Sequence, residues 1–331
     1  MAGSIGRSGC RRHELVQPGA VVVAVGDRTG LLCYSETEHG SRPAQPAVGP
    51  VHLPPEANRV NSTTSLSIIP QAATMPNRNG KTYFITGAGS GLGEATARLL
   101  HSEGANVALA DKNFDAVEEM AAELGPRALP LDCDVTSRDS VGAAVAGAVT
   151  KYGTLNGCVN CAGIGSAVTT VSRKLEPMDP KWWDFVMGIN ANGTFYGSSH
   201  CAAAMARLPA SQNGQRGVII NVASVAGIEG QKGQVPYSAS KGAVIGMTLP
   251  MARDLARFGI RVMTIAPGIM ETPLMLAASE KVKKGLLTQV VTPKRFGTPE
   301  EFAQLCATII DNEYLNGEVI RLDGGIRFAN L

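Results

Sequence analysis

Histidine, aromatic residues and excess charge are all scarce in this sequence. Only two of the five histidines, His101 and His200, lie beyond residue 52, which argues against a histidine-based metal site or a Ser-His-Asp triad in the main body. The formal net charge of +2 implies no strong attraction to nucleic acid or to an anionic membrane. No uncharged apolar run reaches the roughly 18 residues of a transmembrane helix. We therefore expect no metal site, no nucleic-acid partner and no membrane span.

The cysteines do not form a disulfide framework. There are seven of them, an odd number without regular spacing, which favours a reducing compartment. Cys158 and Cys161 form a CxxC pair, but the pair spans a predicted strand end, where the side chains of successive residues alternate between faces. We interpret them as two buried thiols. A redox pair or a zinc site is the alternative.

The chain changes character near Met75. Residues 1–74 contain seven of the 19 prolines and no lysine, and no amphipathic period emerges. This composition predicts a loop-rich or disordered leader. Two interpretations stay open: a genuine leader, or an extension of the gene model with Met75 as the natural start. Residues 75–331 then form a single domain.

From residue 81 onward, apolar strand patterns alternate with amphipathic helix patterns. The predicted strands cover residues 82–86, 106–110, 128–131, 155–159, 217–222, 260–265 and 318–322. The predicted helices cover residues 92–102, 114–124, 137–152, 191–208, 236–258 and 299–311. This alternation predicts an α/β Rossmann fold: a doubly wound, seven-stranded parallel sheet with helices on both faces.

A glycine-rich turn, TGAGSGLG, follows the first strand and opens the first helix. Glycines allow the backbone to turn tightly and to approach a pyrophosphate, and the helix amino terminus offers free N–H groups. The predicted phosphate-binding positions are Gly87, Ser90, Gly91, Leu92 and Gly93. This context predicts a dinucleotide site.

Asp111 ends the second strand, 24 residues after Gly87. A carboxylate there accepts hydrogen bonds from ribose hydroxyls and repels a 2′-phosphate, which predicts NAD as the cofactor. Ser90 stands where a basic residue would help to bind NADP, and this also favours NAD. Lys112 partly offsets the repulsion, and capping of the next helix is the alternative role for Asp111.

The third and fourth strands end in further candidate cofactor residues. Asp134 is predicted to meet the adenine amino group, with Val135 packing beside it. An N-cap for the helix near Ser137 is the alternative role for Asp134. The fourth strand ends in NCAG, where the backbone at Cys161 and Gly163 would let the cofactor cross the sheet edge.

The stretch PYSASK places Tyr237 and Lys241 four residues apart, on one face of a helix. Ser224 follows a strand end, 13 residues before Tyr237. Oxidation of an alcohol needs a base, and a free phenol with a pKa of about 10 is too weakly acidic to serve near neutrality. The Lys241 ammonium and a positive nicotinamide ring are predicted to lower that pKa. Ser224 would hold the substrate oxygen, and Lys241 would bind the nicotinamide ribose. A solvated helix-surface pair is the alternative.

Between about residues 81 and 327, the chain resembles the short-chain dehydrogenase/reductase family. The resemblance rests on the order and spacing of TGAGSGLG, NCAG, Ser224, YSASK and PGIMET. It implies that Asn190 is the fourth catalytic residue, holding a proton-relay water, with Asn192 as a nearby rival. It also implies that Met270 and Thr272 contact the nicotinamide end of the cofactor. Cys161 stands where the family usually has asparagine, a departure that leaves the backbone role intact.

Longer stretches, including NVASVAGIEGQKGQVPYSASKG and NGEVIRLDGGIR, resemble the family's subgroup of type-2 3-hydroxyacyl-CoA dehydrogenases. The resemblance implies NAD-linked oxidation of L-3-hydroxyacyl-CoA to 3-ketoacyl-CoA, with Gln231 near the substrate oxygen. It also implies activity on some hydroxysteroids, a homotetramer and a mitochondrial location. A cytoplasmic location is the alternative.

Residues 274–291 are predicted to form a movable flap over the substrate. Lys281, Lys283 and Lys284 would attract the phosphates of CoA, or would simply form a solvated helix face. Two other functions stay open. One is a dehydrogenase for steroids or other secondary alcohols, or a reductase of carrier-bound 3-ketoacyl groups. The other is a non-catalytic nucleotide-binding scaffold, which would be expected to lack Ser224, Tyr237 or Lys241.

Overall fold

The computed structural model describes residues 78–328. Seven strands form one parallel sheet. In chain order they are β1 (Thr82–Thr86), β2 (Asn106–Asp111), β3 (Ala128–Asp132), β4 (Gly157–Asn160), β5 (Gly217–Val222), β6 (Ile260–Pro267) and β7 (Val319–Leu322). The predicted leader, residues 1–74, lies outside the described residues.

Ten α-helices connect or flank these strands within the described part of the chain. They are α1 (Gly91–Ser102), α2 (Phe114–Leu124), α3 (Arg138–Tyr152), α4 (Pro180–Met187), α5 (Thr194–Arg207), α6 (Ala226–Glu229), α7 (Val235–Leu255), α8 (Pro273–Leu276), α9 (Glu280–Leu287) and α10 (Pro299–Asp311). A π-helix, Gly188–Gly193, joins α4 to α5, and a 3₁₀ turn, Ala256–Phe258, follows α7. None of the described helices is long and apolar enough to cross a membrane.

The strand order β3-β2-β1-β4-β5-β6-β7 confirms the predicted doubly wound sheet. The chain winds outward from β1 to β3 and then returns to β4 on the other side of β1. The order therefore reverses between β1 and β4, where Thr86 pairs with Asn160. In open parallel sheets, ligands bind in the crevice at the carboxyl ends of the strands beside such a reversal.

Both faces of the sheet are covered, as a parallel sheet requires. Ile85 packs in a cluster with residues of α1, α2 and α10. The neighbouring Phe84 faces the other way and packs with residues of α3, α5 and α7, because successive strand side chains point to opposite faces. This two-sided burial explains why β1 is buried at every position.

The sequence correctly predicted all seven strands, although β4 begins at Gly157 rather than at 155. The helix predicted over residues 191–208 is confirmed over most of its length, but its first residues belong to a π-helix. A π-helix comes first, and α5 begins at Thr194. Helix α4 was missed, although Asp179 caps it and Pro180 occupies its first turn, both of which are helix-start signals. Its three aromatic residues, Trp182, Trp183 and Phe185, are exposed. With only eight residues, the helix is shorter than the window of about 11–18 residues in which a helical period is recognised.

Candidate active site

A cleft of ≈ 690 Å³ lies at the carboxyl edge of the sheet. All the predicted cofactor, catalytic and substrate residues line it except Asn190, which is fully buried behind the cleft wall. These residues lie at the carboxyl ends of β1 to β6 or in the loops and helices that follow them. The parallel topology therefore brings distant sequence positions together at one edge of the sheet.

The glycine loop is packed too closely to accept side chains. A Cβ atom on Gly93 would lie 2.1 Å from the backbone oxygen of Gly87, and one on Gly87 would lie 2.7 Å from the nitrogen of Ala162. Gly91 has a φ of +56°, which favours glycine. No side chain of the described residues caps α1 at Ser90, so the N–H groups of its first turn face the cleft without a side-chain partner. Such a terminus fits a phosphate group.

Asp111 is held in place by the backbone on both sides. Its Oδ2 atom accepts from the N–H of Gly89 at 2.9 Å, and its Oδ1 atom accepts from the N–H of Asn113 at 2.9 Å. The N-cap of α2 is Asn113 itself, so the second bond shapes the turn before the helix, and the capping role considered for Asp111 is not observed. Each oxygen keeps a free lone pair towards the cleft, where a ribose hydroxyl can bind.

Lys112 lines the same cleft as Asp111, but its ammonium is paired with another carboxylate. Its Nζ atom forms an ion pair of 2.7 Å with Asp134. This hydrogen bond, supported by Thr136, lowers the pKa of Asp134 to about 2. The N-cap role considered for Asp134 is not observed, because the side chain of Ser137 caps α3 by accepting from Ser140. The pair therefore removes much of the positive charge beside Asp111.

Two small residues shape the floor of the cleft. Val135 is buried, and Gly193 of the π-helix packs so closely that a Cβ there would lie 2.9 Å from it. A Cβ on Gly163 would lie 3.2 Å from Oδ1 of Asn190 and 3.4 Å from Nζ of Lys241. Two candidate catalytic side chains therefore lie close to Gly163, and a larger residue there would press against both of them.

Cys158 and Cys161 are both free thiols. Cys158 is completely buried, and its thiol donates weakly to Oδ1 of Asn160 at 3.5 Å. Cys161 lines the cleft, and burial raises its pKa, which disfavours the reactive thiolate. Among the described residues, no cluster of His, Cys, Asp or Glu has the arrangement of a metal site.

The surroundings of Tyr237 act on its pKa in two directions. Burial raises the pKa of the phenol, and the Ser224 hydroxyl lowers it in part, so the net direction in the protein alone is upward. The predicted lowering combined Lys241 with a bound nicotinamide ring, and it stays a prediction for the complex. The Ser224 hydroxyl also accepts from the N–H of Ala226 at 3.1 Å. Ser224 and Tyr237 both line the cleft.

Lys241 is buried, with 5% of its surface exposed. Its Nζ atom donates to the backbone oxygen of Val222 at 2.8 Å, and this is the single acceptor recorded for it among the described residues. An ammonium has three donors, so two remain available at the cleft. Burial lowers the pKa of Lys241 to about 8, because desolvation penalises the charged form.

Asn190 is fully buried inside the π-helix. Its amide bridges to both backbone groups of Ile164 at 2.9 Å and to the Ser240 hydroxyl at 3.0 Å. The rival Asn192 is exposed, so the choice of Asn190 agrees with the geometry. Both N–H donors of its amide are used by the protein, so a water could bind only by donating, to the second lone pair of Oδ1 or to the backbone oxygen. The backbone oxygen also accepts from Thr194 at 2.7 Å.

The loop after β6 brings the other predicted residues to the cleft. Met270 is buried against Gly297, and Thr272 lies close to the glycine loop, 3.5 Å from where a Cβ of Gly91 would be. Gln231 lines the opposite wall, and its N–H donates to Oε1 of Gln234 at 2.8 Å. Met270, Thr272 and Gln231 therefore all line the same cleft.

Several lining residues were missed by the sequence analysis. They are Ile164, Phe185, Ile189, Gln234, Met275, Leu286 and Phe328. Most are apolar and come from loops, short helices or the carboxyl-terminal segment, which carry no motif. In the predicted flap, α9 contributes Leu286 to the cleft. Lys283 pairs with Glu280 at 2.5 Å, whereas Lys281 and Lys284 are exposed.

Known proteins share both the sequence and the fold. A family model described as short chain dehydrogenase matches residues 81–283. The 3-hydroxyacyl-CoA dehydrogenase type-2 of Homo sapiens is 48% identical over 257 residues, which cover 77% of this chain and 98% of that protein.

Two solved structures extend the comparison. The 3-hydroxyacyl-CoA dehydrogenase type-2 from Mycobacterium avium has a TM-score of 0.73 at 41% identity, covering 78% of this chain and all (100%) of that one. A 3-ketoacyl-(acyl-carrier-protein) reductase from Brucella melitensis, complexed with NADH, has a TM-score of 0.65 at 28% identity, covering 75% and 98%.

Proposed function

The chain belongs to the short-chain dehydrogenase family, and we propose that it transfers hydride between NAD and L-3-hydroxyacyl-CoA, producing 3-ketoacyl-CoA. Membership makes it an oxidoreductase that acts on CH–OH groups with a nicotinamide cofactor. The observation that carries the proposal is the convergence of Ser224, Tyr237 and Lys241 beside the glycine loop in one cleft. This same convergence disfavours a non-catalytic scaffold.

The cofactor would be held by the chain in four places. The pyrophosphate would bind the N–H groups at the start of α1, formed by Ser90, Gly91, Leu92 and Gly93. The adenosine would lie between Asp111 and the Asp134–Val135 turn. The nicotinamide ribose would bind Lys241, and the ring would lie near Met270 and Thr272. When bound, the nicotinamide supplies the hydride acceptor or donor.

Proton transfer falls to the phenol of Tyr237. Ser224 would hold the substrate oxygen, because its hydroxyl lines the cleft beside Tyr237 and is fixed there by the N–H of Ala226. In the protein alone the pKa of Tyr237 is raised, which suits donation of a proton to a ketone. For alcohol oxidation, the phenol must be made more acidic by nearby positive charge.

Lys241 and Asn190 would carry the proton away from Tyr237. The buried Lys241 ammonium keeps two donors free, and its pKa of about 8 lies near working pH, where exchange of a proton is easy. The backbone oxygen of Asn190 would hold the relay water. The π-helix supports this role, because such insertions disturb the regular N–H pattern and are frequent at functional sites.

NAD rather than NADP is proposed from the charges beside the adenosine. The Asp111 carboxylate would repel a 2′-phosphate, and the nearest cation, Lys112, is paired with Asp134 at 2.7 Å. Ser90 adds no positive charge. The 2′-phosphate of NADP would therefore lie beside the Asp111 carboxylate, and the Lys112 ammonium would not be free to neutralise it.

The acyl-CoA substrate is proposed from the relatives and from the shape of the cleft. Proteins from Homo sapiens and Mycobacterium avium with 48% and 41% identity carry the name 3-hydroxyacyl-CoA dehydrogenase type-2. Beyond the polar groups, the cleft has apolar walls from Phe185, Met275, Leu286 and Phe328, which suit an acyl chain. A homotetramer and a mitochondrial location are proposed from the family resemblance.

Two alternative substrates remain in the proposal. A reductase of carrier-bound 3-ketoacyl groups is favoured by the similarity to the Brucella melitensis protein. The apolar walls would also accept a steroid-like secondary alcohol.

A substrate comparison at fixed NADH concentration tests the choice. Acetoacetyl-CoA, acetoacetyl-carrier protein and a ketosteroid are offered separately to the enzyme, and kcat/KM is compared. We expect the highest value for acetoacetyl-CoA. A higher value for the carrier-bound form or for the steroid would replace the proposed substrate without changing the proposed chemistry.

A further inference from the structure

The guanidinium of Arg321 connects the segment after β5, which carries Ser224 and α6, to the carboxyl-terminal part of the domain. Arg321, on β7, donates to Oε1 of Glu229 at 2.6 Å and to Oδ2 of Asp323 at 2.7 Å. It also donates to the backbone oxygen of Ile326 at 2.9 Å. Its side chain is only 22% exposed. Hydrogen bonds between charged groups in such shielded positions are stronger than those at the open surface.

Glu229 lies on the segment that carries the substrate-facing groups. It ends α6, the short helix between Ser224 and Gln231. At the start of this segment, the N–H of Ala226 donates to Oγ of Ser224 at 3.1 Å and so fixes the position of the Ser224 hydroxyl. A movement of Glu229 would therefore be passed to Ser224 on one side and to Gln231 on the other.

The carboxyl-terminal segment, residues 323–328, reaches the same cleft from the other side. Ile326 is fully buried in a cluster with Val225, Ile269 and Val290. Two residues further on, Phe328 lines the cleft. The backbone oxygen of Gly324 also accepts from the N–H of Val291 at 3.0 Å, where the predicted flap ends. The segment thus joins the flap, the cleft wall and Arg321.

We propose that Arg321 is a positioning residue that sets the substrate end of the cleft by clamping Glu229 to the carboxyl-terminal segment. Neither Arg321 nor Glu229 lines the cleft itself. The clamp acts on Ser224, Gln231 and Phe328, whereas the glycine loop and Asp111 belong to other loops. Loss of the clamp should therefore weaken substrate binding and leave cofactor binding unchanged.

The kinetic test uses Arg321→Met and a matched control, and it rests on the proposed function. Arg98→Met serves as the control, because Arg98 also joins two carboxylates, Glu94 and Glu123, but on α1 and outside the cleft lining. We expect Arg321→Met to raise KM for acetoacetyl-CoA about tenfold, with KM for NADH unchanged. Arg98→Met should change neither value.

A second variant guards against simple misfolding. Glu229→Gln preserves the shape and one acceptor oxygen, so it should raise KM for acetoacetyl-CoA in the same direction by a smaller factor. Unchanged kinetics in both variants would overturn the clamp. A parallel rise of both KM values together with a fall in Tm would also overturn it, because that pattern indicates general destabilisation.

Hydrogen exchange separates failure of the clamp from failure of the proposed substrate, because it needs no turnover. In Arg321→Met, amides of residues 225–234 and 323–328 should exchange faster than in the parent, and amides of α1 and α2 should not change. If the parent does not turn over acetoacetyl-CoA, the proposed function fails, but the exchange pattern still tests the clamp. Exchange that is unchanged in both segments would contradict it.

Discussion

Lys241 places its Nζ atom 5.9 Å from the centre of the Tyr237 ring, one helical turn further along α7. The ammonium is buried and donates to the backbone of Val222. Among the described residues, the Nζ atom donates to Val222 and not to the Tyr237 hydroxyl. The proton path of the proposed reaction therefore needs both residues and the groups between them.

The charged state of Lys241 gives a stability prediction that can be measured without cofactor. Its pKa in the folded protein is about 8, below the 10.5 of an ordinary lysine side chain. Between these values the unfolded chain binds more protons than the folded one, so the free energy of unfolding should rise with pH. The gain from this group is at most roughly 3 kcal/mol, from 1.36 kcal/mol per pKa unit.

Urea unfolding at pH 7 and pH 10 checks this prediction in the parent and in Lys241→Met. Other groups that titrate in this window are shared by both proteins, so only the difference between the two pH responses counts. The parent should gain stability relative to Lys241→Met on going to pH 10. An identical pH response in the two proteins would show that Lys241 is not desolvated.

Asp111 should determine the preference for NADH over NADPH. Asp111→Asn keeps the size of the side chain but removes the charge that repels a 2′-phosphate, so the ratio of kcat/KM for NADH to that for NADPH should fall about tenfold or more. Asp115→Asn is the control, since it removes an exposed charge from the first turn of α2. An unchanged ratio in Asp111→Asn would refute the selective role of this carboxylate.

Gly163→Ala should impair catalysis more than stability. The added Cβ would lie 3.2 Å from Asn190 and 3.4 Å from Lys241, so these side chains must shift by a few tenths of an ångström. Because catalysis depends on precise placement, kcat should fall about tenfold or more.

The matched control for this substitution is Gly246→Ala in α7. An added Cβ there meets no atom within 4 Å, and alanine is favoured in a helix by about 0.5–1 kcal/mol. The control should therefore keep full kcat. A normal kcat in Gly163→Ala would mean that the two catalytic side chains tolerate displacement.

Much of this site could be predicted because its residues carry local signals. The glycine loop, Asp111 and the Tyr237–Lys241 pair are defined by spacing and by their place at strand or helix ends. The parallel topology then brings them together at one edge of the sheet. The choice of Asn190 over Asn192 stays a prediction, with Asn190 buried and Asn192 exposed.

Other features depend on contacts that no local pattern encodes. The raised pKa of Tyr237 in the protein alone results from burial of the phenol, whereas the predicted lowering combined Lys241 with a bound nicotinamide ring. The π-helix before α5 was missed because residue spacing does not distinguish a short π-helical turn from an α-helix. The clamp joins Arg321 to Glu229 across 92 residues, so only the folded structure reveals it.

The most direct test of the central claim is NADH consumption with acetoacetyl-CoA by the parent and by Tyr237→Phe. The phenylalanine keeps the ring and removes only the hydroxyl that would donate the proton. We predict NAD-linked turnover by the parent and a loss of about 10²- to 10⁴-fold in kcat for the variant, with NADH binding retained in fluorescence titration. No turnover by the parent, or full turnover by Tyr237→Phe, would contradict the proposed function.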